Sequence, residues 1–500
     1  MNERPPDVLV IVLDCVRASD FWNGGEETDY LPETAALARH SVQYKRAVAP
    51  APWTVPSHAS LFTGLYPWEH GAHIKGENSL SSDRPTLPRV LKEHGYATLS
   101  ASANFLVSPF FGLASDFDRA FWGGWWEPFL RFPPRPGREP PPHRRGRPNP
   151  VLHRMRSGSF WPIFEASTSK LSEYTALLDL SVRFSRKILN PEDDGYPQTS
   201  PWIEPEVHRW LTLQPKERPV FCFVNLLDAH EPYFASKRVI RNFSEWRKYA
   251  SQRQDRQGWI RGTWRSSRED LALLHSLYRE SIRAVDRRIG NLLRLFQEHD
   301  RWDNTLVVVT ADHGQSFGEH GVLYHMLRVD EELVRVPLLV RYPGNKAGGT
   351  HSESWASLVD VAPTVLEVAG LPGAMSTSGV SLTRLAHEPR PGPVFSISDG
   401  LGQTQGKSMT RSVRKKLDRI YAAAYQENLK VVVDSSAPSR PRMFELEDDW
   451  ATKSLPWNPD LPGAALLKEA AETAIRSLLR KEALPLPATV DERLRAWGYL

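Results

Sequence analysis

The run Asp7-Val-Leu-Val-Ile-Val-Leu-Asp14 sets six consecutive apolar residues between two carboxylates. A strand with one wet face alternates apolar and polar residues, so an unbroken run reads as a strand covered on both faces. Pro219–Leu227, Thr305–Thr310 and Val334–Arg341 have the same character. Helical patterns lie between them, the clearest from about Glu269 to His299, where Leu274, Leu277, Ile282, Val285, Ile289 and Phe296 recur at helical spacing. Strands alternating with long helices predict an α/β fold, a mostly parallel sheet sandwiched by helices. Beyond Pro343-Gly344 the texture changes. Ser357–Gly370 reads as helical, and shorter strands follow at Pro393–Ser398, Tyr421–Tyr425 and Leu429–Val433. These predict a main domain over residues 1–354 and a smaller C-terminal α+β subdomain over 355–500.

Length and charge narrow the function classes. Five hundred residues leave room for two cores. Sixty-three Lys and Arg against 59 Asp and Glu give a net charge of +4, which makes no case for nucleic-acid binding. Two cysteines, Cys15 and Cys222, do not build a disulfide framework. No stretch approaches the roughly 20 apolar residues of a membrane span. The N-terminus lacks a basic region followed by a long apolar segment, so a cytoplasmic location is expected. A Trp-, Pro- and Arg-rich insertion is placed at about 122–204; within it, residues 131–160 hold eight Arg and one Glu. It is expected to be exposed and largely extended, with peripheral contact to an acidic membrane surface as the alternative. Ser157–Arg268 also reads as insertion-like, with an amphipathic helix carrying Leu171, Leu178, Val182 and Phe184.

Ligands of an open α/β sheet collect beyond the carboxyl ends of its strands. Asp14 lies at one such end, and Asp312 with His313 at another. Each Asp alone reads as a turn former. Together, two carboxylates and an imidazole suit one divalent cation, Mn, Mg, Ca or Zn. A third piece is Ala51-Pro-Trp-Thr-Val-Pro-Ser-His-Ala-Ser-Leu-Phe-Thr-Gly64. Thr54 there reads either as a helix N-cap or as a hydroxyl poised at a helix N-terminus, where a phosphate or sulfate group would bind. A neighbouring cation would make that hydroxyl a nucleophile.

These segments, in this order, resemble the sulfatase family of the alkaline phosphatase superfamily. Thr54-Val-Pro-Ser-His58 followed by Thr63-Gly64 resembles the family's nucleophile signature, Cys or Ser, any residue, Pro-Ser-Arg, then Thr-Gly. Val10–Arg17 and Val309–Gly321 resemble its two metal-binding segments, and Phe223–Tyr233 the segment whose His touches the substrate anion. Asp286, Val336-Pro-Leu-Leu-Val, Asp360-Val-Ala-Pro-Thr364 and Met443–Asp448 continue the family order. The resemblance implies an anionic ester substrate, sulfate or phosphate, on a glycan or lipid. It assigns Asp14, Asp312, His313 and Thr54 to one cation, with a second metal as an option. Thr54, His230 and His325 are the catalytic candidates, His325 as a general acid. Asn104, His58 and Asp228 are the substrate-binding candidates.

The departures from the family bear on mechanism. Thr54 carries a methyl group on its β-carbon and cannot yield the aldehyde of formylglycine, so no formylglycine is expected. His58 stands in place of the signature Arg. Cys15 stands where formylglycine sulfatases usually have Asp, and reads as a small buried thiol, with a thiolate ligand as the alternative. Glu319 and His320 read as loop structure, and His70 and His73 as surface or rim. A Thr nucleophile favours phosphoryl transfer, by a hydrolase or by a phosphoethanolamine- or phosphoglycerol-transferase-like enzyme. A non-catalytic metal-dependent binding protein is the further alternative.

Overall fold

The computed structural model describes residues 4–22, 30–74, 79–123, 200–234, 236, 238–251, 266–400, 418–447 and 452–479. Most of the expected insertion, with Leu171, Leu178, Val182 and Phe184, lies outside them. The main sheet has eight strands: β1 (Asp7–Leu13), β2 (Val42–Tyr44), β3 (Ala97–Ser102), β4 (Arg119–Trp122), β5 (Val220–Leu226), β6 (Thr305–Ala311), β7 (Leu338–Arg341) and β8 (Thr350–Ser352). Their order is β8-β2-β7-β6-β1-β5-β3-β4. Only β7 runs antiparallel to its neighbours. Every residue of β1, β3, β5 and β6 is buried, as the apolar runs of β1, β5 and β6 require; β3 is buried with small Ser and Thr side chains on one face.

The helices that matter for the site are α1 (Pro32–Ala38), α2 (Thr54–Thr63), α3 (Ile203–Thr212), α4 (Arg268–Glu298) and α5 (Val361–Val368). The 31-residue α4 begins in a capping box, in which Ser267 Oγ accepts from Asp270 N and the Asp270 carboxylate accepts from Ser267 N. Its apolar stripe, from Leu274 to Phe296, is buried in the main core. Asp286 on the same helix accepts from the N–H groups of Glu33 and Thr34 at 3.1 and 2.7 Å. It thereby satisfies two orphan donors at the start of α1.

Two sequence expectations change. Val334–Arg341 is not one strand: Glu331–Val334 forms a helical turn, Arg335 makes an isolated bridge to Val48, and pairing with the main sheet begins only after Pro337, which has no N–H to give a ladder. Ser157–Arg268 is not insertion throughout, because it contains β5, the buried partner of β1.

The second sheet is antiparallel, with strands β9 (Val394–Ser398), β10 (Tyr421–Gln426), β11 (Leu429–Asp434), β12 (Arg442–Leu446) and β13 (Thr452–Leu455) in sequential order. Helix α6 (Ala464–Leu479) covers one face through Leu467, Ala471, Ala474 and Leu478. The other face meets Val329, Leu333, Val334 and Trp355. Residues between Ala356 and Leu385 belong to the main core, so packing changes hands between Leu385 and Val394. Among the described residues no helix is long and apolar enough to cross a membrane.

Arg288, fully buried on α4, ties three pieces together: Asp228 Oδ2 at 2.8 Å, Glu204 Oε1 of α3 at 2.7 Å and the Ser200 carbonyl at 2.8 Å. Removing one partner leaves a buried charge short of compensation. Asp228→Ala is therefore expected to lose about 3–5 kcal/mol of stability in a denaturant titration. An unchanged midpoint would show that Glu204 alone neutralises Arg288.

Candidate active site

Strand register gathers the site. Leu13 pairs with Leu226 on one side and Ala311 on the other. The next residues, Asp14 and Asp312, therefore leave adjacent strand ends, whose backbones lie about 4.8 Å apart. Ser102 pairs with Asn225, and Asn104 follows two residues later at the same edge. Thr54 is the first residue of α2, preceded by an extended Trp53 that serves as N-cap. The Thr54 hydroxyl is not the cap. It takes a long contact from Asn104 Nδ2, 3.4 Å, and faces Asp312. Gly64, at φ 67°, ends the helix in the left-handed conformation that glycine adopts freely.

The donors converge with atoms to spare. Asp312 Oδ1 accepts from the N–H groups of His313 (2.9 Å) and Cys15 (3.3 Å), while Oδ2 is buried without a hydrogen-bond partner. His313 Nδ1 lies 2.9 Å from the Gly314 carbonyl, which only accepts, so the proton is on Nδ1 and the lone pair on Nε2. That Nε2 is also buried without a partner, 3.4 Å from Asp312 Oδ2 and 3.9 Å from Asp14 Oδ1. Asn104 Nδ2 donates to Asp14 Oδ2 at 2.7 Å. Orphaned acceptors pointed at one another are costly unless a cation shares them. The set fits one divalent cation, with oxygen donors in the majority.

Electrostatics agree. Burial, reinforced by the charge of Asp312, raises the Asp14 carboxyl to about 6. Burial raises Asp312 to about 7, with the Cys15 and His313 N–H groups and the Thr54 hydroxyl opposing the rise. Burial lowers His313. The loops are held from behind. Tyr278 of α4 donates to the Cys15 carbonyl and accepts from Arg17 N, each at 2.9 Å. This fixes a turn in which Cys15 takes φ 64°, rare for a residue with a side chain. Arg17 reaches across to the Gln315 carbonyl at 2.7 Å and Glu319 at 2.9 Å. Gly314 lies so close to the Glu332 carbonyl that a Cβ would sit 2.1 Å from its oxygen.

The remaining expected residues divide. His325 and His230 reach the site, their ring centroids 5.1 Å apart, with His325 4.5 Å from His313. His58 is wholly buried between Phe62 and Phe223, with Nδ1 donating to the Thr54 carbonyl at 2.9 Å. Burial lowers its pKa to about 3. It is a neutral prop for the start of α2 and no cationic substitute for the signature Arg. Asp228, expected at the substrate, is consumed by Arg288. His70 and His73 are buried, not on the rim; His70 Nε2 lies 3.1 Å from Ser60 Oγ. Glu319 is loop structure as expected, bound by Arg17 and Ser316.

Sequence reasoning missed Glu231 and Gln315. Gln315 Nε2 donates to Glu231 Oε2 (2.7 Å) and Tyr233 Oη (2.6 Å), and its Oε1 accepts from His325 Nδ1 (2.9 Å). The available signal was adjacency alone: Glu231 follows His230, and Gln315 follows His313 by two.

A protein-family model, Sulfatase, matches residues 6–371. An ulvan-active sulfatase of Formosa agariphila is 24% identical over 402 residues, 77% of this chain and 66% of that protein. An N-acetylglucosamine-6-O-sulfatase of Bacteroides thetaiotaomicron is 38% identical over 105 residues, 21% of this chain and 19% of that one. The chain thus spans less than two thirds of the length of these relatives. The crystal structure of a phosphonate monoester hydrolase of Agrobacterium radiobacter shares the fold, with a TM-score of 0.61 at 18% identity, covering 94% of this chain and 95% of that one.

The raised carboxyls set a pH dependence for the metal-free protein. A carboxyl whose pKa is higher folded than unfolded stabilises the fold below its unfolded pKa and loses that contribution as pH rises through the folded value. Starting from the ordinary value of 3.8 and ending near 6 for Asp14 and 7 for Asp312, the window is about pH 4 to 7. Thermal unfolding in chelator should show stability falling across that window, with a divalent cation restoring it above pH 7. A profile identical with and without cation would contradict the assignment.

Proposed function

Because the chain belongs to the sulfatase family, we propose that it is a metal-dependent hydrolase that cleaves a phosphate or sulfate ester through Thr54. One observation carries the reading. The Thr54 hydroxyl stands at the first residue of α2, between the Asn104 amide and the Asp312 carboxylate, against the Asp14–Asp312–His313 set with its unpartnered acceptor atoms. A divalent cation held by Asp14, Asp312, His313 and Thr54 would offset the charge of the ester and favour the Thr54 alkoxide.

The chain's own residues supply the rest. Thr54 Oγ gives up its proton and bonds to phosphorus or sulfur. The bond to the alcohol oxygen breaks, and that oxygen takes a proton as it leaves. Water then breaks the new ester on Thr54. Asn104, already bonded to Asp14, keeps its amide between that carboxylate and the reacting hydroxyl. His58 holds the Thr54 carbonyl from the core side. His230 and His325, their rings 5.1 Å apart, are the candidates for protonating the leaving alcohol.

Phosphate is favoured over sulfate on mechanism. A formylglycine hydrate expels sulfate with its second hydroxyl, and Thr54 has none, so its ester must be resolved by water, as in phosphoryl transfer. The names of the relatives, an ulvan-active sulfatase and an N-acetylglucosamine-6-O-sulfatase, support an ester carried on a sugar.

The test is turnover of nitrophenyl phosphate, bis-nitrophenyl phosphate and nitrophenyl sulfate after chelation and re-addition of Mn, Ca, Mg or Zn. Metal-dependent release from a phosphate ester is expected, falling at least ~10³-fold in Thr54→Ala and partly kept in Thr54→Ser. Turnover undiminished in Thr54→Ala would remove Thr54 from the chemistry. Release that depends on an added alcohol acceptor and not on water would favour a transferase.

A further inference from the structure

Strand β9 belongs to the second sheet, yet its last two residues hold two segments of the main domain. Ile397 N donates to the Pro50 carbonyl at 2.9 Å, a few residues before Thr54. Ser398 Oγ donates to the Met326 carbonyl at 2.7 Å, immediately after His325. From this bridge we propose that Ser398 is a positioning residue, which fixes His325 relative to Thr54. The role rests on the ester-hydrolase reading. As Thr54 bonds to phosphorus the bond to the alcohol oxygen breaks, and that oxygen takes one proton from a protonated His325, which is left neutral.

His325 needs such a hold because its neighbours do not rest in an ordinary conformation. Tyr324 has φ 70° and Met326 φ 101°, so residues with side chains occupy the region that favours glycine on both sides of His325. Strain of this kind persists only where the surrounding contacts over-determine it, and it gathers at functional sites. Upstream, Leu323–Tyr324 pairs with Ser316–Phe317, which ties His325 to the loop after β6. Gln315 of that loop accepts from His325 Nδ1 at 2.9 Å, and the His325 ring lies 4.5 Å from that of His313.

Downstream, the hold comes from the second sheet. Ser398 takes Met326, and the buried Lys430 of β11 donates to the Val329 carbonyl at 2.7 Å and to Glu331 Oε1 at 2.6 Å. Tyr425 Oη of β10 donates to the same Glu331 oxygen at 3.0 Å. Of these anchors Ser398 is the nearest to His325 in the chain. Ser398 and Met326 are both buried, so removing the hydroxyl deprives a buried carbonyl of its donor and the strained residue of its restraint. Because Ile397 braces the approach to Thr54 from the same strand, one rigid element sets the separation of nucleophile and acid.

The metal-loaded full chain is assayed on nitrophenyl phosphate, whose phenolate leaves without a proton, and on phenyl phosphate, whose leaving oxygen needs one. Ser398→Ala should lower kcat/KM for phenyl phosphate about 10–100-fold and for nitrophenyl phosphate less than about 3-fold. A merely structural loss lowers both alike. Ser398→Thr, which keeps the hydroxyl, should restore the ratio of the two esters. In a His325→Gln background, Ser398→Ala should change that ratio no further. Without substrate, hydrogen exchange followed by mass spectrometry should speed over 323–329 in Ser398→Ala and stay unchanged over β1 and β6. Equal loss on both esters overturns the proposal, as does unaltered exchange over 323–329. A ratio that His325→Gln leaves unchanged also overturns it, by giving the proton transfer to another group. The ester reading fails separately, on undiminished turnover in Thr54→Ala.

Discussion

Two buried carboxylates held side by side are the constraint around which the rest is arranged. Asp14 and Asp312 follow residues that are in register on adjacent parallel strands, so their proximity is fixed by the sheet and does not depend on a loop finding its way. Burial and mutual repulsion oppose their ionisation, and among the described residues no Lys or Arg contact relieves it at either group. What surrounds them is a set of weak donors and lone pairs: the Asn104 amide, two backbone N–H groups, the Thr54 hydroxyl and His313 Nε2. A protein that keeps such a pair apart from its arginines has left the compensating charge to a ligand.

The arginines are instead used one layer out. Arg17 joins the turn after β1 to the loop after β6, and Arg288 locks the loop after β5 to α3 and α4. Tyr278 and Asp286, both on α4, hold the Cys15 turn and the start of α1. The long helix is thus the back wall that fixes several loops at once. This is how a site built from loops obtains the rigidity that catalysis needs, because strand ends, a helix start and buried ion pairs leave the side chains few alternative positions.

Much of this was legible from the sequence because it rests on periodicity and order. Six apolar residues ending in Asp14 marked a buried strand with a carboxylate at its end, and Thr305–Thr310 before Asp312-His313 marked its neighbour. The Thr54–Thr63 helix was readable because Thr54, Pro56 and Gly64 mark a helix start and stop. What failed was whatever depended on which way a side chain turns. Asp228 follows a strand just as Asp14 does, yet a buried Arg288, distant in sequence, captures it. His58 lies four residues from Thr54 on one helix face, and packing against Phe62 and Phe223 makes it neutral support. Glu231 and Gln315 carry no pattern of their own, and only the fold brings them to His325. The strand expected over Val334–Arg341 was cut by Pro337, a local signal that the apolar run outweighed.

The most direct measurement is peptide mapping by mass spectrometry after acid quench of the metal-loaded protein turning over a phosphate ester. A phosphoryl group on Thr54, absent without metal and absent in chains quenched before substrate, is the expected result. It would also show residue 54 as unmodified threonine in the resting protein. Rapid turnover with Thr54 unesterified at every quench time would contradict a Thr54 nucleophile and leave the carboxylate pair to activate water instead.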